Sequence, residues 1–417
     1  MMLNHDLVIV GGGPAGMAAA VAAYDAGCQD VVILDREPEL GGILMQCIHN
    51  GFGLHKLGRE LTGPEYAAVY VQKVKERNIK VYAETMVTGV SPEKIVTAQN
   101  RQGILKIQAK AVILAMGCRE RSRGALNICG SRCAGIYSAG TAQKLVNCMG
   151  YQVGKRVVIL GSGDIGLIMA RRMSYEGAKV EAVCEVMPYS GGLTRNIVQC
   201  LEDFDIPLYL STTVVQIHGK ERLEGVTIAQ VDERRKPIEE TKRYIPCDTL
   251  LLSVGLIPEN ELTRKAGIAI NPITNGPSVN QYMQTSAKSV FACGNVVHVN
   301  DLVDNVSEES ARAGKYAARY AAGKLGGAQK TVECVTGRNV RYLCPQSVDA
   351  NEKDSKVSLY FRVLQPENNV KLIARCGDTV IAKHKEFRVN PGEMCHVTVN
   401  TDMLTGDQVT VEVIKED

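Results

Sequence analysis

The sequence is poor in several features that mark specialised classes of protein. It has no tryptophan and only five phenylalanines in 417 residues. No apolar run approaches the ~18 uninterrupted residues of a membrane-spanning helix. The apolar N-terminus lacks a charged leader and is interrupted by Gly-Gly-Gly-Pro at 11–14, so we do not expect it to be an export signal. The formal net charge is only +3, which gives no basic excess for nucleic acid. We therefore predict an ordinary globular protein with no membrane span and no nucleic-acid partner.

Closely spaced cysteine ligands are missing as well. The chain has 14 cysteines, but they are scattered, and disulfide frameworks are typical of small secreted domains rather than of a chain this long. We expect reduced thiols and a cytoplasmic protein. Four cysteines near the C-terminus were weighed as zinc ligands, but they lack the short spacing of recognisable zinc sites, and no metal site is predicted. These are Cys334, Cys344, Cys376 and Cys395.

The sequence does contain one glycine pattern written twice. Each copy has three glycines spaced G-x-G-x-x-G, between an apolar segment and a helix-forming one. In each copy an acidic residue follows 22 positions after the middle glycine. The first copy consists of Gly11, Gly13, Gly16 and Asp35, and the second of Gly161, Gly163, Gly166 and Glu185.

This pattern predicts two dinucleotide sites. A strand must pass to a helix whose N-terminal amides face a pyrophosphate, and side chains at the turn would block that approach. The acid after the second strand is placed to accept a hydrogen bond from a ribose hydroxyl. One such motif is a weak signal, whereas two complete copies are a strong one. The alternative, a retained fold that binds nothing, stays more open for the second copy.

Three further segments extend the pattern. They are AVILAMG at 111–117, LLLSVGLIPEN at 250–260 and SVFACGN at 289–295. Together with the N-terminal glycines, they resemble the FAD-dependent pyridine nucleotide-disulfide oxidoreductase superfamily over roughly residues 5–325. The resemblance implies FAD on the first glycine turn and NAD(H) on the second, with the NAD domain inserted into the FAD domain.

The predicted fold class is α/β, with two Rossmann-like dinucleotide-binding domains and a small C-terminal β-sandwich-like domain. The FAD domain is expected at 1–123 and 254–327, and the NAD domain at 124–253. After the glycine-rich joint GKLGGAQK at 323–330, short alternating β-branched segments predict a small antiparallel sandwich at 328–417.

The resemblance assigns binding residues in two groups. Those expected to bind FAD are Gly11, Gly13, Pro14, Ala15, Gly16, Asp35, Arg36, Gly42, Val87, Ala115, Gly117, Gly294 and Asn295. Those expected to bind NAD(H) are Gly161, Gly163, Asp164, Ile165, Gly166, Glu185 and Gly255. Asn295 departs from the family, which usually has aspartate there, but an amide oxygen still accepts hydrogen bonds.

The charge of Glu185 favours NADH over NADPH, because a carboxylate accepts from a 2′-hydroxyl and repels a 2′-phosphate. Arg171 and Arg172 lie too early on the preceding helix to bind that phosphate in the usual place, and they are expected on a solvated helix face.

The redox disulfide of the family is missing from both of its usual positions. After Gly41-Gly42 the chain has only Cys47, and GIYSAGTAQ before the second glycine turn has no cysteine. A disulfide reductase is therefore disfavoured.

Cys47 and His49 are candidate flavin-proximal groups that tune the flavin or relay protons, or else only pack against it. Cys129 and Cys133, spaced CxxxC, are interpreted as incidental thiols rather than a redox or metal pair.

Longer phrases, including FACGNVVHVNDLVD, resemble one bacterial branch of the family. Its members accompany a glycerol-3-phosphate dehydrogenase flavoprotein and a small cysteine-rich protein. The implied function is an electron-transfer subunit that exchanges hydride between NAD(H) and FAD within an oligomer or hetero-complex, with the C-terminal module docking the partner. A stand-alone NADH oxidase or peroxidase, a disulfide reductase and a non-catalytic assembly subunit remain alternatives.

Overall fold

The computed structural model describes residues 2–326, 330–352 and 355–416. The chain forms two compact units, one made of Met1–Cys118 and Pro258–Asp417 and the other of Arg119–Ile257. The second unit is thus inserted in the sequence of the first, at points a few residues from the predicted domain boundaries. The predicted boundary at 327/328, within the joint at 323–330, lies outside the described residues.

The helices and strands follow in chain order. Those before the insertion are β1 (Met2–Val10), α1 (Pro14–Asp25), β2 (Val31–Leu34), β3 (Asn50–Phe52), β4 (Leu61–Thr62), α2 (Gly63–Glu76), β5 (Lys80–Tyr82), β6 (Met86–Val90), β7 (Ile95–Asn100) and β8 (Gly103–Leu114). Those of the insertion and its two borders are β9 (Cys118–Glu120), β10 (Cys129–Gly130), β11 (Ile136–Ser138), α3 (Ala139–Asn147), β12 (Arg156–Leu160), α4 (Asp164–Tyr175), β13 (Lys179–Cys184), α5 (Thr194–Cys200), β14 (Leu208–Tyr209), β15 (Thr212–His218), β16 (Gly225–Gln230), β17 (Arg243–Pro246), β18 (Thr249–Leu252) and β19 (Leu256–Pro258). Those after it are α6 (Glu261–Lys265), β20 (Val290–Ala292), α7 (Val303–Ala321), β21 (Thr331–Thr336), β22 (Val340–Cys344), β23 (Ser347–Asp349), β24 (Lys356–Val363), β25 (Glu367–Cys376), β26 (Thr379–Val389), β27 (Cys395–Asn400) and β28 (Gln408–Lys415).

The first unit is built on a sheet with the order β5-β2-β1-β8-β7-β6, and β20 pairs with the end of β8. Strands β5, β2, β1, β8 and β20 run parallel, whereas β6 and β7 form an antiparallel extension. The apolar ends of β1 and β2 are fully buried, as expected of parallel strands covered on both faces. All parallel strands therefore end at one edge, where the first glycine turn follows β1.

Helices α1 and α7 pack closely against each other in this unit. A side chain at Gly314 of α7 would overlap the backbone carbonyl of Ala19 in α1. Only glycine allows this approach, which sets the position of α1 and its N-terminal turn.

The second unit contains a parallel five-stranded sheet, in the order β11-β18-β12-β13-β14, and a four-stranded sheet, in the order β10-β15-β16-β17. One apolar cluster lies between the parallel sheet and helices α3, α4 and α5, and another lies between the two sheets. The α/β fold class, with Rossmann-like sheets and a sheet-rich C-terminal part, is confirmed.

The C-terminal strands form a sandwich with its own apolar core. A five-stranded sheet, β23-β21-β28-β25-β26, faces a three-stranded one, β22-β24-β27. The predicted antiparallel pairing is wrong at one place, because β21 and β28 run parallel. This pair joins the first and the last strands of the module, a long-range contact that strand patterning does not reveal.

A buried ion pair holds the sandwich to the rest of its unit. The guanidinium of Arg362, on β24, donates to the carboxylate of Asp301, just before α7, and to the carbonyl oxygen of Val299 at 3.0 Å. The other Asp301 oxygen accepts the amide of Met394 at 2.6 Å. Both charged side chains are nearly buried, so removing either would leave an uncompensated charge.

None of the helices in the described ranges is both long and apolar enough to cross a bilayer.

Replacing Arg362 with glutamine is expected to lower the free energy of unfolding by about 3–5 kcal/mol, because Asp301 would remain buried without its partner. The matched control is Arg101→Gln, which removes an ion pair with Glu84 from a side chain that is 84% exposed; this variant should unfold like the wild type. Denaturant unfolding followed by circular dichroism makes the comparison. Equal losses in the two variants would contradict the role given to Arg362.

Candidate functional site

The first glycine turn connects β1 to α1. Gly11 has φ +107°, and a side chain there would overlap the backbone of Ala115. A side chain at Gly16 would overlap the carbonyl of Gly11. These two glycines are therefore required by the close packing of the turn itself, whatever it binds.

Gly13 differs from its two neighbours in the motif. The nearest described atom that a Cβ at Gly13 would meet is the Cα of Gly42, 3.9 Å away. The space beside Gly13 is therefore open, bordered by the backbone of Gly42 on the other side. Helix α1 begins here with Pro14 at its first position, and within the described chain no side chain caps its N-terminus. The uncapped amides beside an open face fit a pyrophosphate.

Asp35 lies at the end of β2 and is 8% exposed. One carboxylate oxygen accepts the amide of Gly12 and the other accepts the amide of Glu37 at 2.8 Å. The acid thus anchors the glycine turn from the neighbouring strand. Its two oxygens have further lone pairs for a ribose hydroxyl.

The segment SVFACGN at 289–295 lies against the same end of α1. A Cβ at Gly294 would come within 2.7 Å of the Ala15 side chain. The Gly294 amide donates to Glu309 of α7 at 2.7 Å. The side-chain oxygen of Asn295 accepts the amide of Asn300 at 2.9 Å, and its nitrogen lies 3.6 Å from the Cys118 sulfur. Gly294 and Ala15 therefore meet, as expected of residues that share one ligand.

The remaining residues predicted to bind FAD lie in several different elements. The Ala115 amide donates to the carbonyl of Val10 at 2.9 Å, and Gly117 accepts from Glu259 at 3.0 Å. Val87 is buried on β6, where it pairs with Ala98. The side chain of Arg36 is 68% exposed and lies 3.8 Å from that of Glu37.

Cys47 and His49 follow a short 3₁₀ turn at Gly42–Gln46. The Cys47 thiol donates to the carbonyl of Ile43 at 3.3 Å, and the Cys47 carbonyl accepts the amide of Gly63 at 2.8 Å. His49 is half-buried, with its ring 5.1 Å from that of Phe52. Both residues thus follow directly on the segment that borders Gly13, and their chemical role stays a prediction.

The second glycine turn repeats the geometry of the first. A side chain at Gly161, which has φ +101°, would overlap the Ser253 carbonyl, and one at Gly166 would come within 2.7 Å of the Gly161 oxygen. At Gly163 the nearest described atom is the Ser253 hydroxyl, 3.8 Å away. Again the middle glycine faces open space at an N-terminus that no described side chain caps.

Glu185 anchors this turn as Asp35 anchors the first. One of its oxygens accepts from the Ser162 amide at 3.0 Å and the Ser162 hydroxyl at 2.7 Å, and the other accepts the Met187 amide at 2.9 Å. Ser162, fully buried, was missed by the sequence reasoning. Its position as the residue between the first two glycines was the available signal, since Gly12 occupies it in the first copy.

Asp164 is a chemical difference between the two glycine turns, because the helix after the first turn has no acidic residue at its start. It is the first residue of α4, where a free carboxylate would oppose a bound phosphate. Its oxygen is instead engaged by the Leu193 amide at 2.8 Å and the Asn196 amide nitrogen at 2.7 Å. No pattern in the sequence points to Asn196, which lies 32 residues from Asp164. Ile165 is half-buried beside Asp164, and Gly255, at φ +99°, accepts from Arg121 at 3.1 Å.

Two arginines on α4 contact side chains at the C-terminal end of the same helix. Arg171 donates to the Tyr175 hydroxyl at 3.1 Å, and Arg172 lies 2.5 Å from Glu176. Both are half-buried, so the prediction of a solvated helix face is only partly right.

All 14 cysteines lie within the described ranges, and none of them forms a disulfide there. Burial raises the pKa of the Cys184, Cys247 and Cys293 thiols to about 12, which makes them poor nucleophiles. In the spaced pair, Cys129 is exposed whereas Cys133 is buried. Of the four C-terminal cysteines, Cys344 and Cys376 are buried, and Cys334 and Cys395 are partly so.

Comparison with known proteins gives a consistent result. Residues 5–326 match the family model described as pyridine nucleotide-disulphide oxidoreductase. Hydrogen cyanide synthase subunit HcnB of Pseudomonas protegens is 26% identical over 71% of this chain and 66% of its own length. Mitochondrial dihydrolipoyl dehydrogenase of Caenorhabditis elegans is 27% identical over 73% of this chain and 66% of its own length. The chain thus spans just under two thirds of these relatives.

Solved structures show the same fold. Thioredoxin reductase of T. acidophilum superimposes with a TM-score of 0.63 at 24% identity, over 77% of this chain and 99% of that one. A NAD-dependent persulfide reductase of A. fulgidus gives a TM-score of 0.61 at 18% identity, over 95% of this chain and 73% of that one. At these identities the likeness concerns the fold alone.

The open faces of Gly13 and Gly163 allow a reciprocal test of the two turns. Gly13→Ala should weaken FAD binding tenfold or more (about 1.4 kcal/mol) and leave NADH affinity unchanged, because the added methyl group meets only the space for the pyrophosphate. Gly163→Ala should do the reverse, so each variant is the control of the other. Titration of apoprotein with FAD, and of the flavin-loaded protein with NADH, measures both constants. Unchanged affinities in both variants would contradict this assignment.

Proposed function

The chain belongs to the pyridine nucleotide-disulphide oxidoreductase family, whose members use FAD and NAD(P)H, and we propose that it is an NAD(H)-dependent flavoprotein that transfers electrons to a partner subunit. Membership confirms the predicted class of FAD- and pyridine nucleotide-dependent oxidoreductase. The proposal rests mainly on one observation. Two glycine turns, each open at its middle glycine and each anchored by a buried carboxylate, lie in one chain.

The first turn has the features of the permanent cofactor site. Its helix begins without an acidic residue in the first turn, and Gly42 and Gly294 bring two further backbone segments to the same end. FAD, when bound, supplies a ring that accepts a hydride from NADH and passes electrons on. The amides at the start of α1 would hold its phosphates and Asp35 would accept a ribose hydroxyl, while Asp35 already anchors Gly12 and Glu309 holds the Gly294 amide.

The second turn fits a dinucleotide that binds and leaves. Asp164 places a carboxylate at the first position of the helix, which is less favourable for a phosphate than the acid-free first turn of α1. Glu185 supplies the acceptor for a ribose 2′-hydroxyl and a negative charge against a 2′-phosphate. Reversible binding of NAD(H) rather than NADP(H) is therefore proposed.

Electrons on the flavin have to leave the chain, according to this proposal. Neither of the usual cysteine pairs of the family is present in the sequence. Cys47 is a single thiol hydrogen-bonded to Ile43, and without a second cysteine it cannot take up an electron pair by opening an internal disulfide or release one by closing it. An external acceptor or donor follows. The cytoplasmic location is part of the proposal and rests on the scattered cysteines of the sequence, which do not resemble the disulfide framework of a secreted domain.

Anaerobic stopped-flow mixing of the FAD-loaded chain with NADH should bleach the flavin rapidly, and NADPH should do so much more slowly. Glu185→Gln should raise the dissociation constant for NADH about tenfold, or about 1.4 kcal/mol, and narrow the difference between the two nucleotides. The control is Glu181→Gln on the same strand, whose carboxylate pairs with Arg156 and Lys179 instead.

Two results would overturn the functional proposal. Failure of both nucleotides to reduce the flavin would make the second turn vestigial and support an assembly subunit. Fast turnover with oxygen or peroxide, abolished by Cys47→Ser, would support a stand-alone oxidase or peroxidase.

A finer part of the proposal concerns the partner. The phrase FACGNVVHVNDLVD resembles chains that accompany a glycerol-3-phosphate dehydrogenase flavoprotein and a small cysteine-rich protein. HcnB, a relative, is named as a subunit, and so is the small chain of glutamate synthase [NADPH] of Escherichia coli, at 25% identity. Assembly into a hetero-complex that oxidises glycerol 3-phosphate is therefore proposed.

The C-terminal sandwich offers a surface for that partner. Strand β26 lies at the edge of its sheet, and Phe387 on this strand is 80% exposed. Large exposed aromatic side chains are typical anchors of protein interfaces. Deleting the whole module would break the buried Arg362–Asp301 pair, so a surface substitution is the sharper test.

We expect Phe387→Asp to weaken co-purification of the chain with a glycerol-3-phosphate dehydrogenase flavoprotein of the kind proposed as its partner, and to leave NADH-dependent flavin bleaching intact. Tyr151→Asp in the other unit, at a side chain that is 59% exposed, is the control. Reconstituted complex should reduce NAD with glycerol 3-phosphate. Absence of any complex with wild-type chain would remove the partner proposal while leaving the nucleotide chemistry in place.

A further inference from the structure

Three side chains capable of binding a metal meet away from both glycine turns. They are His298, Glu309 and Cys344, and one donor atom from each lies within 4.8 Å of the others. Their exposures are 1%, 3% and 1%. Such burial of a carboxylate and an imidazole is costly unless their charges and hydrogen bonds are satisfied.

The contacts of this cluster are specific. His298 Nε2 lies 2.7 Å from one oxygen of Glu309, and the other Glu309 oxygen accepts the amide of Gly294 at 2.7 Å. His298 Nδ1 lies 3.4 Å from the hydroxyl of Tyr342. The carboxylate is thus oriented by a backbone amide, and the imidazole by a phenol. Such outer contacts are typical of side chains that bind metals, because they fix the direction of each donor.

The cluster brings a carboxylate, an imidazole and a thiol together, and no lysine or arginine in the described chain forms an ion pair with it. A divalent ion would neutralise the carboxylate and a thiolate together, which a single proton cannot do.

We propose that His298, Glu309 and Cys344 form a binding site for a divalent ion of the zinc type. One nitrogen, one oxygen and one sulfur donor suit zinc, which accepts all three, whereas calcium and magnesium prefer oxygen alone. Binding would form a metal–sulfur bond and release the thiol proton to solvent, together with any proton on the coordinating nitrogen of His298. Three side chains leave the fourth position of a tetrahedral ion for a water molecule.

This site would join parts of the unit that are distant in sequence. His298 follows the Gly294–Val296 turn, Glu309 lies on α7, and Cys344 ends β22 of the sandwich. A bound ion would therefore link the sandwich to the segment that carries Gly294. Since Glu309 also holds the Gly294 amide, removal of the ion should loosen the predicted FAD site.

The sequence did not reveal the cluster, because Cys344 was considered only with the three other C-terminal cysteines. Its partners in the fold are instead a histidine 46 residues earlier and a glutamate 35 residues earlier. Spacing this long gives no recognisable ligand pattern.

The test uses the full-length, FAD-loaded chain, first freed of metal and then titrated with Zn²⁺ or Co²⁺ alone. The wild type should bind one ion per chain with release of protons, and Co²⁺ should give the intense visible bands of a tetrahedral thiolate complex, at longer wavelengths than the flavin. Cys344→Ser should lower zinc affinity at least tenfold and remove the thiolate-to-cobalt signature. Cys376→Ser, at another buried thiol of the sandwich, is the matched control and should bind like the wild type.

Thermal unfolding gives a second readout. Zinc should raise the midpoint of the wild type and of Cys376→Ser, but not that of Cys344→Ser or His298→Gln. Failure of the wild type to bind zinc would overturn the proposal, and so would binding that is equally tight in Cys344→Ser. The cobalt spectrum of the wild type decides the question even when the variants do not fold, because an octahedral, thiolate-free spectrum would place the ion elsewhere.

Discussion

The structure depends on one repeated interaction, a buried carboxylate that accepts the amide of a glycine-rich turn from the neighbouring strand. Asp35 holds Gly12 in this way and Glu185 holds Ser162. In both cases the second oxygen accepts the amide two residues further along. The contact fixes the turn and leaves its middle glycine facing open space. Binding of a dinucleotide then needs little rearrangement, because the amides of the following helix already point to that space.

The two copies differ where their functions should differ. The first turn is followed by a helix without an early acid, and backbone from Gly42 and Gly294 closes around its end. The second has Asp164 at the helix start, tied to Leu193 and Asn196. This asymmetry agrees with the proposal that the first turn binds flavin permanently and that the second binds a nicotinamide nucleotide reversibly.

The sequence predicted the parts of the fold that repeat or alternate. Glycine and acid spacing predicted both turns, since these residues act within one β-α-β unit. Alternating β-branched segments predicted a sandwich, but they could not show that β21 and β28 run parallel. Contacts between distant segments were also out of reach, such as Asp164 with Asn196 and Arg362 with Asp301. These depend on which side chains the finished fold brings together.

The missing cysteine pair distinguishes this chain from the disulfide-reducing proteins whose fold it shares. According to the proposed function, a flavin without a disulfide stores one electron pair and exchanges it with a partner. Buried thiols with raised pKa, such as Cys184 and Cys293, are not suited to replace that pair.

Anaerobic titration of the FAD-loaded chain with NADH, followed by flavin absorbance and by counting free thiols, tests this account most directly. We expect one equivalent of NADH per flavin to complete the reduction, and the number of free thiols to stay unchanged. Consumption of a second equivalent, with two new thiols appearing, would show an internal disulfide acceptor and contradict it.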